Sequence, residues 1–78
     1  MKITYDPRYN IAYLRLEEKT EEVETIHVSE ELNVDLTPDG KIYGIELLDA
    51  TRQLKGLTGG RLVVENEETG KTVEVGLP

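Results

Sequence analysis

Apolar and polar residues alternate along most of the chain, and the alternation predicts strands. Lys2-Ile3-Thr4-Tyr5 reads as a short strand with Ile3 and Tyr5 inward. Asp6-Pro7-Arg8-Tyr9-Asn10 follows as a turn: Asp6 can accept from the turn backbone, Pro7 fixes φ, and Asn10 tolerates positive φ. Ile11 to Glu17 is a second strand, with Ala12, Leu14 and Leu16 on one face and Ile11, Tyr13 and Arg15 on the other. After a polar connection from Glu18 to Glu22, Val23 to Val28 makes a third strand. Its alternation is broken, since Ile26 and Val28 share a face that Val23 does not, which predicts a bulge or an irregular edge.

The centre of the chain is the stretch Leu32 to Ala50. In Thr37-Pro38-Asp39-Gly40-Lys41, Pro38 and Asp39 suit the two central positions of a type I turn, and Gly40 takes the left-handed conformation that closes a bulge. Thr37 then faces Lys41, and counting outward pairs Leu36 with Ile42, Asp35 with Tyr43, Val34 with Gly44 and Asn33 with Ile45. In that register Glu46 shares the face of Leu32, Val34 and Leu36, while Tyr43, Ile45 and Leu47 lie on the other face with Asn33 and Asp35. The strand from Ile42 to Leu48 is thus apolar on both sides, which implies cover on both sides. Asp49 is the expected N-cap of a short helix from Ala50 to Lys55, stopped by Gly56.

Gly56-Leu57-Thr58-Gly59-Gly60 reads as a flexible joint. Beyond it, Arg61 to Asn66 and Lys71 to Val75 form a second hairpin around Glu67-Glu68-Thr69-Gly70-Lys71, with the same turn logic as the first. Counting places Val63, Val73 and Val75 on one face and Leu62 and Val64 on the other. A lone two-stranded hairpin is marginally stable, so this one is expected to lie on the main sheet or to reach another subunit. The expected fold is one domain over residues 1–78, mostly β: an antiparallel β-meander, one short helix after the central hairpin, and a C-terminal β-hairpin.

Composition limits how such a fold is held. The 78 residues contain no Cys, Phe or Trp, and 22 Leu, Ile and Val must supply the core. A chain this small gains from oligomerisation, and a homo-oligomer, a dimer foremost, is expected. Tyr13 and Tyr43, with Ile11, Ile45 and Leu47, form the expected apolar interface patch on the second face. No apolar run approaches the ~20 residues of a membrane span. Met-Lys-Ile-Thr-Tyr-Asp-Pro lacks the apolar stretch of a signal peptide, so a soluble cytoplasmic protein is expected, away from membranes.

Charge is uneven. Glu17 to Glu31 holds seven Glu and one Lys, a balance of −6 out of −7 for the chain. Such a stripe repels phosphate, which argues against nucleic acid as a partner. It serves either as a solvated edge that discourages aggregation or, through Glu17, Glu18, Glu21, Glu22 and Glu24, as a surface for a basic protein partner.

Candidate chemistry is sparse. His27 is the single histidine and Ser29 the single serine. Two apart on a strand they lie about 6.6 Å from each other, too far for a nucleophile and its base. Nucleotide-binding and nucleophile-elbow spacings are missing. Glu46, Asp35 and Asp49 form the one carboxylate set worth weighing as a cation or small-ligand site. No catalytic, cofactor-binding or metal-ligating residue is assigned, and the chain is not expected to be an enzyme.

Two blocks carry a resemblance. Lys2-Ile3-Thr4-Tyr5-Asp6-Pro7 with Ala12-Tyr13-Leu14-Arg15-Leu16 is the first. The second is Val34-Asp35, Asp39-Gly40-Lys41-Ile42 and Gly44-Ile45-Glu46-Leu47-Leu48-Asp49-Ala50. Over about residues 1–54 the chain resembles a small bacterial family catalogued as domain of unknown function 2283. The resemblance implies a short β-rich protein without assigned catalytic residues, and some members are encoded beside toxin-like proteins, which implies an antitoxin-like role. The C-terminal hairpin is an addition to that pattern. The function expected is a self-associating, non-enzymatic protein-interaction module.

Overall fold

The computed structural model describes residues 1–18 and 22–78. Turn chemistry sets the first two strands, β1 (Lys2–Asp6) and β2 (Ile11–Arg15). Asp6 Oδ1 accepts from the Arg8 amide at 2.9 Å, and Asn10 takes φ 54°, a left-handed conformation that Asn tolerates better than most side chains. Three more strands follow: β3 (Glu24–Ser29), β4 (Leu32–Leu36) and β5 (Ile42–Leu48). All five form one antiparallel sheet in the order β1-β2-β5-β4-β3. β3, β4 and β5 run as a meander, and β5 then closes against β2, so the last strand of the sheet is its central one. The fold is the expected mostly β arrangement, and β3 carries its irregularity between His27 and Ser29.

The turn between β4 and β5 is as expected. The Thr37 amide donates to Lys41 O at 2.8 Å, the Gly40 amide to Thr37 O at 2.9 Å, and Gly40 has φ 88°. The register beyond it differs from simple counting. Leu36 faces Ile42, but Asp35 faces Gly44, Val34 faces Ile45, Asn33 faces Glu46 and Leu32 faces Leu47. Tyr43 is an extra residue, and one inserted residue turns every later side chain to the opposite face. Ile45 and Leu47 therefore join Val34 and Leu32, and Glu46 leaves the apolar side. β5 is not apolar on both faces.

One face of the sheet is consequently apolar, built from Ile3 and Tyr5 of β1, Ala12 and Leu14 of β2, Ile45 and Leu47 of β5, Leu32 and Val34 of β4 and Ile26 of β3. Its cover is small. The helix α1 (Ala50–Gln53) and the turn after it bring Ala50, Leu54 and Leu57 onto Ala12, Tyr5 and Leu47. Among the described residues, Ala12, Ala50 and Leu57 are the buried hydrophobic ones.

Asp49 is the N-cap residue, as expected, and its carbonyl accepts the Arg52 and Gln53 amides, but its side chain bonds no helix amide. It sits at φ 51°, and its carboxylate accepts from Asn10 Nδ2 at 3.2 Å and from Arg52 Nε at 2.8 Å. The side-chain capping bond comes from Asn10, in the β1–β2 turn. Its carbonyl accepts the Ala50 amide at 2.9 Å, and its Oδ1 accepts the Thr51 amide at 3.1 Å and the Tyr5 hydroxyl at 3.0 Å. At the other side Gln53 Nε2 donates to Glu31 O and Leu48 O, and Arg52 pairs with Glu31. The helix is thus strapped between the β1–β2 and β3–β4 turns across one end of the apolar face.

The glycine joint is a close-packed turn, not a slack link. A Cβ on Gly60 would fall inside 3.0 Å of the Gly56 backbone, and Gly56 and Gly59 have φ of 84° and 74°. The Gly59 amide donates to Pro78 O at 3.1 Å and the Leu77 amide to Gly60 O at 2.9 Å, which closes the base of the C-terminal hairpin, β6 (Arg61–Glu65) and β7 (Thr72–Gly76). Its loop spans four residues, with the Asn66 amide donating to Lys71 O and Asn66 Oδ1 accepting from the Glu68 and Thr69 amides. That loop corrects the expected faces. Leu62 faces Val75 and Val64 faces Val73, so these four share one face, and Val63 lies on the other with Arg61, Glu65, Thr72 and Glu74. The hairpin does not lie on the sheet: every residue of both strands is exposed.

Candidate functional site

The sheet presents two surfaces of opposite character. On the polar face, one cross-strand row runs Thr4, Tyr13, Glu46, Asn33 and His27, and the next runs Lys2, Arg15, Gly44, Asp35 and Thr25. Side chains join across these rows. The Tyr13 hydroxyl donates to Asp35 Oδ2 at 2.6 Å, and the Thr25 hydroxyl donates to Asp35 Oδ1 at 2.6 Å. To reach from β2 to β4 the Tyr13 ring crosses Gly44 of β5, where a Cβ would overlap both the ring and its hydroxyl. Gly44 has no positive φ, so this position requires glycine for space alone.

Burial, the hydrogen bond to Asp35 and that carboxylate's charge push the Tyr13 phenol well above its ordinary value. Asn33, the buried polar residue of the row, donates through Nδ2 to Glu46 Oε1 at 2.9 Å, and its Oδ1 has no partner among the described residues. The three carboxylates weighed as a cation site do not converge. Asp35 is held by Tyr13 and Thr25, Glu46 by Asn33, and Asp49 by Asn10 and Arg52 at the helix junction. Among the described residues no group of three or more His, Cys, Asp or Glu is placed to hold a metal ion.

The five residues expected to share an interface patch are divided. Ile45 and Leu47 lie on the apolar face, Ile11 and Tyr13 on the polar face, and Tyr43 is the residue inserted at the bulge. The surface that stands open instead joins the uncovered part of the apolar sheet face to the hairpin. Ile3 and Ile26 are exposed on the sheet, and Leu62, Val64, Val73 and Val75 are 47, 57, 64 and 48 % exposed on the hairpin. Counting with a one-residue bulge after Leu36 and a four-residue second loop, so that each strand pair shows one apolar face, is the signal that would have found it. Of the acidic candidates, Glu17, Glu18, Glu22 and Glu24 are exposed, and Glu21 lies outside the described residues.

The amount of open surface is large for the mass. The chain exposes 6213 Å², whereas a compact monomer of 8.8 kDa exposes about 4800 Å². The surplus is about 1400 Å². Its radius of gyration is 14.1 Å, against about 11.5 Å for a compact chain of this length.

These features define a class: a small antiparallel sheet with one polar and one half-covered apolar face, carrying an unpacked hairpin. The family model described as protein of unknown function, DUF2283, matches residues 2–50, more than half of the chain, and the chain belongs to that family. The matched span holds the whole five-stranded sheet and ends at the start of α1, so the hairpin lies beyond it. No curated protein and no solved structure matches the chain. No helix among the described residues is long and apolar enough to cross a membrane.

Proposed function

We propose that this protein is a non-enzymatic interaction module whose first partner is a second copy of itself. The observation that carries the reading is the surplus of about 1400 Å², in a monomer that leaves Ile3 and Ile26 of the sheet and Leu62, Val64, Val73 and Val75 of the hairpin exposed. Standard interfaces take about 800 Å² per partner, so one such contact would absorb most of the surplus. Soluble monomers rarely keep contiguous apolar patches larger than a few hundred Å². The polar face supports the non-enzymatic side of the reading. Its carboxylates already accept from Tyr13, Thr25 and Asn33, an arrangement that ties four strands together and leaves them engaged in structure.

A folded state made by association gains stability with concentration through mass action. The thermal midpoint is therefore expected to rise steadily as protein is raised a hundredfold. A midpoint that stays constant over that range would refute self-association.

A further inference from the structure

We propose that the C-terminal hairpin is an exchanged arm: its apolar face, Leu62, Val64, Val73 and Val75, lies on the apolar sheet face of a second copy, and the partner's hairpin returns the contact. The proposal rests on the self-association reading and adds which surfaces meet.

Four observations carry it. First, the chain has two unpartnered apolar faces of different shape, a broad sheet and a narrow two-stranded ribbon. A ribbon with one apolar face needs a sheet or helix beneath it to persist. Ile3 and Ile26 stand exposed on the sheet, and Leu62, Val64, Val73 and Val75 on the ribbon.

Second, the hairpin does not lie on its own sheet. The contact of Gly60 with the Gly56 backbone and the bonds from Gly59 to Pro78 and from Leu77 to Gly60 fix its base. All of β6 and β7 stays exposed beyond that base. Its own sheet face is therefore left for another occupant.

Third, the two faces meet along a mainly apolar channel, with Lys55, Thr58 and Arg61 also in its lining. Ile3 of the sheet, Leu54 and Leu57 of the helical cover and Leu62 of the hairpin line one groove of about 130 Å³. Ile3 and Leu57 continue into a groove of about 420 Å³ that Tyr5, Pro7, Leu77 and Pro78 also line. An arm arriving from a partner would find a mainly apolar channel that already leads from sheet to hairpin.

Fourth, the numbers match. Each copy supplies one arm and one receiving face, so two copies satisfy each other and the contact closes on a two-fold axis. The surplus of about 1400 Å² per chain is enough for the about 800 Å² that each partner contributes to a standard interface. Val63, on the opposite face of the ribbon, would remain outside, beside the Arg61–Glu74 ion pair.

The chain has no cysteine, which allows the arrangement to be read by disulfide trapping. Val64→Cys marks the arm, and Ile3→Cys, Val34→Cys and Ile26→Cys, each made singly, mark the sheet from β1 to β3. The arm variant is labelled with heavy isotope, mixed with each sheet variant, oxidised mildly and weighed intact. Exchange predicts that at least one sheet position gives mainly mixed arm-to-sheet dimers. Double variants carrying both cysteines should then give covalent dimers.

Sheet-to-sheet or arm-to-arm links alone, from a protein that is still dimeric, would overturn the exchange and leave self-association standing. A double variant that closes on itself at monomer mass would overturn it by placing the arm on its own sheet. No link at all, together with a monomeric parent protein, would overturn both readings. Circular dichroism of each variant, matched to the parent, confirms that the trapped species is folded.

Discussion

Gly44→Ala is the substitution that most sharply separates the observed sheet from one in simple register. In simple register Gly44 faces Val34 on an apolar side, and an added methyl on a strand would be harmless or helpful. In the observed register its Cβ would fall inside 3.0 Å of the Tyr13 ring and hydroxyl. The ring cannot shift alone, because its hydroxyl is bonded to Asp35 at 2.6 Å. Moving it loses a hydrogen bond to a charged group, about 1.5–3 kcal/mol. The gain from replacing glycine at an ordinary φ is about 0.4–1 kcal/mol. The net expectation is a loss of roughly 1–2 kcal/mol, or a fall in thermal midpoint of several degrees for a domain of this size.

The sign should reverse when the ring is removed. In a Tyr13→Ala background, Gly44→Ala meets no ring and is expected to stabilise by about 0.4–1 kcal/mol. The coupling across the cycle is then about 2 kcal/mol, well above the scatter of independent sites. Urea unfolding followed by circular dichroism measures it, with all four proteins at one concentration so that association does not enter the difference. A Gly44→Ala protein at least as stable as the parent, or equal effects in both backgrounds, would refute the crossing of Tyr13 over Gly44 and the bulge that produces it.

Two further outcomes follow from the side-chain network. The Tyr13 phenol is raised in the folded state, so the unfolded chain releases its proton first as pH climbs. Its contribution is fully present below about pH 10 and is lost as pH rises from there toward the folded value. The stability difference between the parent and Tyr13→Phe should therefore shrink above pH 10, and a difference constant to pH 11 would contradict the assignment. At the helix, Asn10→Gly keeps the left-handed backbone but removes the side-chain hydrogen bonds to Tyr5, Asp49 and Thr51, and should cost about 1–2 kcal/mol in urea unfolding. Asp49→Gly should cost less, because Asp49 bonds no helix amide with its side chain; the opposite ranking would make the Asp49 side chain the more important support of the helix start.

Much of this fold is legible in the sequence. The strands, the Thr37–Lys41 turn, the irregular edge at β3 and the short helix all follow from period-two patterning and turn chemistry. The misread parts share one physical cause. A single inserted residue at Tyr43, and one extra loop residue before Lys71, leave no local mark, yet each reverses the face of every residue beyond it. Gly44 gave no warning, since its role is to make room for a side chain 31 positions earlier rather than to bend the backbone. The side-chain capping bond was hidden similarly: Asp49 holds the N-cap position, but Asn10 reaches the Thr51 amide through the fold. The apolar surface was visible as excess hydrophobicity in Ile45, Leu47, Val73 and Val75. Which face it belonged to depended on those two insertions.

Molar mass by light scattering at low micromolar protein tests the central claim most directly. The open apolar faces predict a species of twice the chain's 8.8 kDa, falling toward the monomer only on strong dilution. A mass of one chain at every concentration, with the fold intact, would contradict it.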